Sequence, residues 1–290
     1  MVLKGMGVAL VTPFKEDDSV DFEALQRLVE YQIQNGADYL VVLGTTAEMP
    51  TLAREEKAEI VRRVVAQVHR RIPIVLGVGG NCTREVVRSL EQDDFRDIYA
   101  ILSVVPYYNK PSQEGIYRHY KAIAQATPRP LILYNVPGRT GVNMTADTTL
   151  CIAREFEHVV AVKEASGNIV QADSIIKNRP CHFEVISGDD SITLPLISLG
   201  AIGVISVIGN ALPAEFSRMV RLALSGDYEK ARNIHARFIE LFELLVVDGN
   251  PAGVKSLLHL MGYIENRLRL PLVPTRTLTD EKIRDVLQRI

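Results

Sequence analysis

The sequence predicts a closed (β/α)8 barrel followed by a small helical C-terminal domain. Eight short β-branched runs, each followed by a segment of helical periodicity, fit within about the first 225 residues. The strand signal then stops after Ser225-Gly226, which sets the expected domains at 1–225 and 226–290. A chain of 290 residues can bury roughly three quarters of its unfolded surface, enough for one full barrel core.

The runs are GVALV (7–11), YLVVLG (39–44), IPIVLGVGG (72–80), IYAILSVVP (98–106), PLILYNVP (130–137), VVAVKE (159–164), FEVISGDD (183–190) and IGVISV (202–207). None alternates cleanly, as expected of parallel strands covered on both faces. Between them lie amphipathic segments. In DFEALQRLVEYQIQNG, Phe22, Leu25, Val29 and Ile33 share a face, Asp21 caps the start and Gly36 ends the helix. LAREEKAEIVRRVVAQVH, TREVVRSLEQ, QEGIYRHYKAIAQA, TADTTLCIAREF, NIVQADSIIK, DSITLPLISLG and PAEFSRMVRLAL fill the same role. The competing architecture, an open doubly wound sheet, usually carries a Gly-rich turn after its first strand, and TPFKEDD is not one. In the tail, DYEKARNIHARFIELFELLVV and PAGVKSLLHLMGY read as helices, RLPLVP as extended, and DEKIRDVLQRI as a last short helix.

Bulk properties remove several classes. The net charge of -2, without a basic stripe, argues against nucleic acid as a partner. No apolar run approaches the roughly 20 residues that span a bilayer. MVLKGMGVALVTPF lacks a small-residue cleavage pattern and reads as a first strand rather than a signal peptide. Cys82, Cys151 and Cys181 are scattered and odd in number, so buried or half-buried free thiols in a cytoplasmic protein are expected. The histidines form no HxH or HxxxH pair, and Asp189-Asp190 would point to opposite faces of a strand, so no metal is expected.

Barrel chemistry collects where strands end. Those positions are polar here: Thr12, Thr45-Thr46, Asn81, Tyr107-Tyr108, Tyr134-Asn135, Arg139, Lys163-Glu164, Ser187 to Asp190, Ser206 and Asn210. Lys163 stands out because it ends an apolar run, on the face of Ala161 and Val159 if the strand alternates. Two readings fit it. It can pair with Asp189 or Asp190, or it can be a desolvated amine. An ordinary lysine is neutral about once in 2,500 at pH 7, and desolvation raises that fraction. A free amine adds to a ketone as a Schiff base, a route suited to 2-oxo acids.

The neighbouring residues are open to the same double reading. Tyr134, with Ile132 beneath it, and Thr45 can relay protons near such an amine, or serve as a core tyrosine and a turn threonine. The amides and hydroxyls of Gly44-Thr45-Thr46 can hold a carboxylate or simply make the turn. Arg139 offers a bidentate fork for a second carboxylate, or is a solvated loop arginine. GVISVIGN (203–210) has only isolated glycines and is a poor phosphate site.

The motifs GTTAE (44–48), PYYNKPSQEG (106–115), YNVPGRTG (134–141), VKEASGN (162–168), SGDD (187–190) and GVISV (203–207) closely resemble the dihydrodipicolinate synthase family. That family lies within the pyruvate-dependent class I aldolases. The likeness runs through all eight runs in order and into NPAGVK (250–255). It implies a TIM barrel without cofactor or metal that condenses pyruvate with L-aspartate 4-semialdehyde, on the route to diaminopimelate and lysine. It makes Lys163 the Schiff-base lysine and Thr45, Tyr134 and Tyr108 the proton relay, with Tyr108 crossing from a neighbouring subunit of a dimer of dimers. Thr46 would hold the pyruvate carboxylate and Arg139 the semialdehyde carboxylate, while Gly188 and Ile205 line the pocket. Asn81, Glu85 and Tyr107 match an allosteric lysine site, where Arg54 and Lys57 replace the histidines of lysine-inhibited members. Two fixed cations there oppose an incoming ammonium, so weak or absent lysine feedback is expected. Ala47 replaces the usual glycine, and Met49-Pro50 a small-residue pair. A sugar-acid aldolase is the alternative activity, and a non-catalytic 2-oxo acid binding protein the alternative class.

Overall fold

Eight parallel strands close into a barrel in sequence order in the computed structural model, which describes residues 3–92 and 95–290. The strands are β1 (Gly5–Ala9), β2 (Tyr39–Val42), β3 (Ile74–Gly77), β4 (Ala100–Val104), β5 (Leu131–Asn135), β6 (Val159–Glu164), β7 (Glu184–Ser187) and β8 (Gly203–Ser206). Seven lie within their expected runs, while β1 begins and ends two residues before the expected GVALV (7–11). Most of their residues are buried, which is why the sequence shows continuous apolar runs rather than alternation.

The helices that follow them are α1 (Phe22–Gln34), α2 (Arg54–Val68), α3 (Thr83–Gln92), α4 (Gln113–Ala126), α5 (Pro137–Thr140), α6 (Ala146–Glu155), α7 (Ile169–Asn178), α8 (Thr193–Leu199) and α9 (Pro213–Leu224). The tail adds α10 (Tyr228–Val247), α11 (Ala252–Leu260) and α12 (Thr277–Leu287). Short polar side chains start many of them. Asp21, Ser112, Thr145, Asn168 and Asp227 each accept a hydrogen bond from a backbone N–H in the first turn. Gly36 has φ +88°, the left-handed geometry expected just beyond a helix end.

Several expectations need correction. The inner face of α1 is Leu25, Leu28, Val29 and Gln32, with Phe22 and Ile33 only half buried, so the apolar stripe is rotated by about one position. The three cysteines are free but exposed, because each lies at or beyond the solvent side of its helix or turn. The four-residue α5 inside YNVPGRTG carried no periodicity from which to read it, and α12 begins at Thr277 rather than at Asp280. Finally, the pairing of β5 with β6 shifts register between Leu131 and Ile132, so Leu131 faces Val159 while Ile132 faces Ala161. The shift consumes one residue of β6. Ala161 and Lys163 therefore stay in phase with Ile132 and Tyr134, and Val159 does not.

The chain divides into two compact units. One comprises Met1–Lys4 with Ile74–Ile205, and the other Gly5–Pro73 with Ser206–Ile290. In the second unit, α9 and α10 pack along each other around Phe216, Phe238 and Phe242, whose rings meet edge to face or tilted at about 6 Å. Asn210 joins the ends of this unit. It accepts from Val11 N at 3.0 Å and donates to Ala9 O at 2.8 Å, satisfying backbone groups just past β1.

Candidate active site

Lys163 is only 6% exposed, near the end of β6, with Tyr134 as its register partner on β5 and Ile186 on β7. Its Nζ lies 4.3 Å from the centroid of the Tyr134 ring. Among the described residues no carboxylate comes within ion-pair distance of it. The Asp189 carboxylate instead accepts from the N and Oγ of Ser191, at 2.9 and 2.7 Å. The ion-paired reading of Lys163 is therefore not what forms. A cation over a desolvated ring gains about 2 kcal/mol, far less than a buried carboxylate would supply.

Gly188 explains how β7 can approach this lysine. A Cβ at position 188 would stand 3.0 Å from Lys163 Cε, 3.1 Å from its Cγ and 2.6 Å from Ala165 Cβ. The Gly188 N–H also donates to Glu164 O at 2.8 Å, so the backbone cannot easily retreat.

The sequence placed Asn135 and Glu164 with the other strand-end polar residues on the active face, and the structure turns both away. Alternation sends them to the opposite side of the strands from Tyr134 and Lys163. Glu164, 2% exposed, accepts from Asn135 Nδ2 at 3.1 Å, Gln171 Nε2 at 3.1 Å and Ser166 N at 2.8 Å. Asn143 completes the cluster, accepting from Asn135 Nδ2 and donating to Gln171 Oε1, both at 2.8 Å. The residues beside the chemistry thus anchor the strand ends to the start of α7 and the loop before α6.

Other expected site residues are more scattered. Ile205 is buried at the end of β8. Arg139 is exposed in the last turn of α5. Tyr108 is 85% exposed and holds φ +79°, a backbone conformation that bulky residues rarely adopt. Its N–H reaches Thr140 O at 3.4 Å, so the Tyr108 loop lies beside α5 while its ring faces solvent. Asn81 Nδ2 donates to Tyr107 O at 3.4 Å, and Glu85 is exposed in the first turn of α3.

In the second unit, Thr45–Ala47 form a single 3-10 turn two residues beyond β2. Thr45 is half-buried, whereas Thr46 and Ala47 are each 2% exposed. Ala47 is not among the residues with positive φ, so the methyl that replaces the usual glycine costs no backbone strain. Thr12 Oγ1 donates to Ala47 O at 2.8 Å. Met49-Pro50 open a second 3-10 turn, and Arg54 and Lys57 share the first turns of α2, with burial holding the Lys57 ammonium below the ordinary lysine value.

Sequence reasoning missed the group just past that turn. Glu48 has φ +56° and is 1% exposed, and its carboxylate pairs with the fully buried Lys255. Lys255 also donates to Arg267 O at 2.9 Å and lies 4.2 Å from the Phe14 ring centroid, while Glu48 Oε2 accepts from Arg269 N at 3.1 Å. The available signal was the recurrence of one charged residue in each of two small-residue motifs, GTTAE and NPAGVK. Their separation of 207 positions hid the pairing.

The chain is similar along its whole length to known proteins. The model of the dihydrodipicolinate synthetase family matches residues 2–290. The 4-hydroxy-tetrahydrodipicolinate synthase of Parabacteroides distasonis is 74% identical over 288 residues, covering 99% of this chain and 97% of that protein. Among solved structures, dihydrodipicolinate synthase from Thermotoga maritima superposes with a TM-score of 0.97 at 42% identity, over 100% of this chain and 99% of that one. The chloride-inhibited dihydrodipicolinate synthase from Acinetobacter baumannii, complexed with pyruvate, gives 0.95 at 40% identity over 99% and 98%. The buried strand-end lysine, the ring beside it and a likeness that spans the whole chain lead to one assignment: this chain belongs to the dihydrodipicolinate synthetase family.

Proposed function

We propose that this chain is a lyase that condenses pyruvate, held as a Schiff base on Lys163, with L-aspartate 4-semialdehyde to give 4-hydroxy-tetrahydrodipicolinate. The observation that carries the reading is Lys163 itself, a buried amine with no carboxylate partner among the described residues, set against an aromatic ring and a glycine. Its nitrogen adds to the pyruvate ketone, and loss of water from the carbinolamine gives an iminium. Loss of a methyl proton then gives an enamine, whose carbon attacks the aldehyde. The amine of the new adduct closes onto the iminium carbon and expels the lysine. Every step moves a proton, which is the work assigned to Tyr134, Thr45 and Tyr108.

Thr46 holds the pyruvate carboxylate and Arg139 that of the semialdehyde in this reading, with Gly188 and Ile205 lining the pocket. The 85% exposure of Tyr108 supports its crossing into a neighbouring subunit, and so a homo-oligomer built as a dimer of dimers. In this reading the barrel over 1–225 carries the chemistry, residues 226–290 support it, and the protein works in the cytoplasm. The named relatives favour this activity over sugar-acid cleavage.

The test is to incubate the protein with pyruvate, reduce with borohydride and map the adduct by mass spectrometry. A pyruvate-derived adduct on Lys163 is expected. No adduct, or one on another lysine, would overturn the mechanism. Arg139→Ala should lose the semialdehyde reaction while keeping the adduct, whereas a sugar-acid aldolase would be indifferent to it.

A further inference from the structure

The 3-10 turn at Thr45–Ala47 is tied down at successive residues from distant parts of the second unit. Ala47 O accepts from Thr12, the Glu48 carboxylate pairs with Lys255, and Thr46 Oγ1 accepts from Asn250 Nδ2 at 3.0 Å. Asn250 and Lys255 are the first and last residues of NPAGVK, a motif for which the chemistry so far has found no use. Asn250 is 9% exposed and Thr46 2%, so their contact is shielded from water.

The direction of that hydrogen bond matters. A threonine hydroxyl has one proton and two acceptor lone pairs, and an amide NH2 can only donate. With Asn250 filling a lone pair, the Thr46 proton is not spent on this contact and must point elsewhere. In a buried turn after a barrel strand, the group that gains most from such a donor is an anion, because hydrogen bonds to charged groups are roughly twice as strong as neutral ones.

We propose that Asn250 is a positioning residue that turns the Thr46 hydroxyl into a donor aimed at the carboxylate of the bound 2-oxo acid. The proposal rests on the pyruvate-binding reading given above and adds to it a residue outside the strand ends. It predicts that Asn250 affects capture of the 2-oxo acid and leaves later steps largely alone. Lys255 and Glu48 hold the turn in place, while Asn250 sets the polarity of one hydroxyl within it.

The substitution that tests the polarity is Asn250→Asp, which puts an acceptor where the donor was. The carboxylate then takes the Thr46 proton for itself. The measurement is the pyruvate concentration giving half-maximal borohydride-trapped adduct on Lys163, alongside kcat and the KM for the aldehyde. Asn250→Asp should raise the pyruvate half-saturation by about tenfold or more, the loss expected for one charge-assisted hydrogen bond. The kcat and the aldehyde KM should stay within about threefold of wild type, a split that simple loosening of the fold would not give. Asn250→Ala should give a smaller rise, because the Thr46 hydroxyl is freed rather than reversed. In a Thr46→Val background, neither change at Asn250 should add further loss.

An unchanged pyruvate half-saturation in Asn250→Asp, with the adduct still on Lys163, overturns this proposal alone. Absence of the Lys163 adduct in the unaltered protein overturns the Schiff-base reading instead. If Asn250→Asp does not fold, Asn250→Ala carries the test: a several-fold rise that vanishes in the Thr46→Val background supports the proposal, and no rise or an additive one refutes it.

Discussion

Adding one methyl group at position 188 should disable Lys163 without touching it chemically. In Gly188→Ala the new Cβ would lie 2.6 Å from Ala165 Cβ and 3.0 and 3.1 Å from Lys163 Cε and Cγ. Comfortable carbon contacts start at about 3.5 Å, so β7 and the Lys163–Ala165 segment must separate by roughly 1 Å. Overpacking of this kind costs about 1–3 kcal/mol of stability. Displacing a nucleophile by about 1 Å costs on the order of 100-fold in rate. The rate of pyruvate-dependent borohydride trapping, measured with thermal stability, reads both effects. Removing the worst contact with a second change, Ala165→Gly, should recover much of the trapping rate. A Gly188→Ala protein that traps pyruvate within about twofold of wild type would refute the argument that Gly188 exists to admit the lysine stem.

Other outcomes follow from the same physics. Lys255→Met removes the buried ion-pair partner of the Glu48 carboxylate and should cost about 3–5 kcal/mol in chemical denaturation, and adding Glu48→Gln should return most of it. His119 is 3% exposed, its Nδ1 lies 2.8 Å from Thr83 Oγ1, and burial pushes its pKa down to about 4. The unfolded chain binds a proton near pH 6.5 that the folded chain refuses, so stability falls from pH 6.5 to about 4 by up to roughly 3 kcal/mol. In denaturation measured across that range, His119→Phe should remove this part of the decline. Arg54 and Lys57 sit together at the start of α2, so lysine should inhibit weakly or not at all, and half inhibition at sub-millimolar lysine would contradict it.

The barrel was legible because parallel strands buried on both faces leave unbroken β-branched runs, and the helices between them leave caps such as Asp21 and Ser112. Lys163 and Tyr134 were legible because a lysine or a tyrosine at the end of an apolar run has to be explained. Which face each strand-end residue takes was less legible. Asn135 and Glu164 neighbour the chemistry in sequence yet bond outward, and only the pairing of β5 with β6 distinguishes the two sides. The phase slip at Leu131 and Ile132 carries no mark in VVAVKE, since any of its valines could be the extra residue. Long-range polar pairs were hidden for a different reason. Glu48 with Lys255 and Thr46 with Asn250 are matched by shape and charge across more than two hundred positions, and no local pattern announces a partner so distant.

That distance also has a consequence in time. On the ribosome all eight strands are made before Asn250 is, because β8 ends at Ser206. Thr46 is translated 204 residues ahead of the side chain that bonds it, a delay of roughly 10–40 s at ordinary elongation rates. A nascent chain can therefore have every strand of its barrel and still lack contacts that hold the Thr45–Ala47 turn. The hydrogen bond that sets the Thr46 hydroxyl forms only once the segment beyond the last strand has been made, so a copy ending at Ser206 would have all eight strands and none of the ties from Asn250 and Lys255 to that turn.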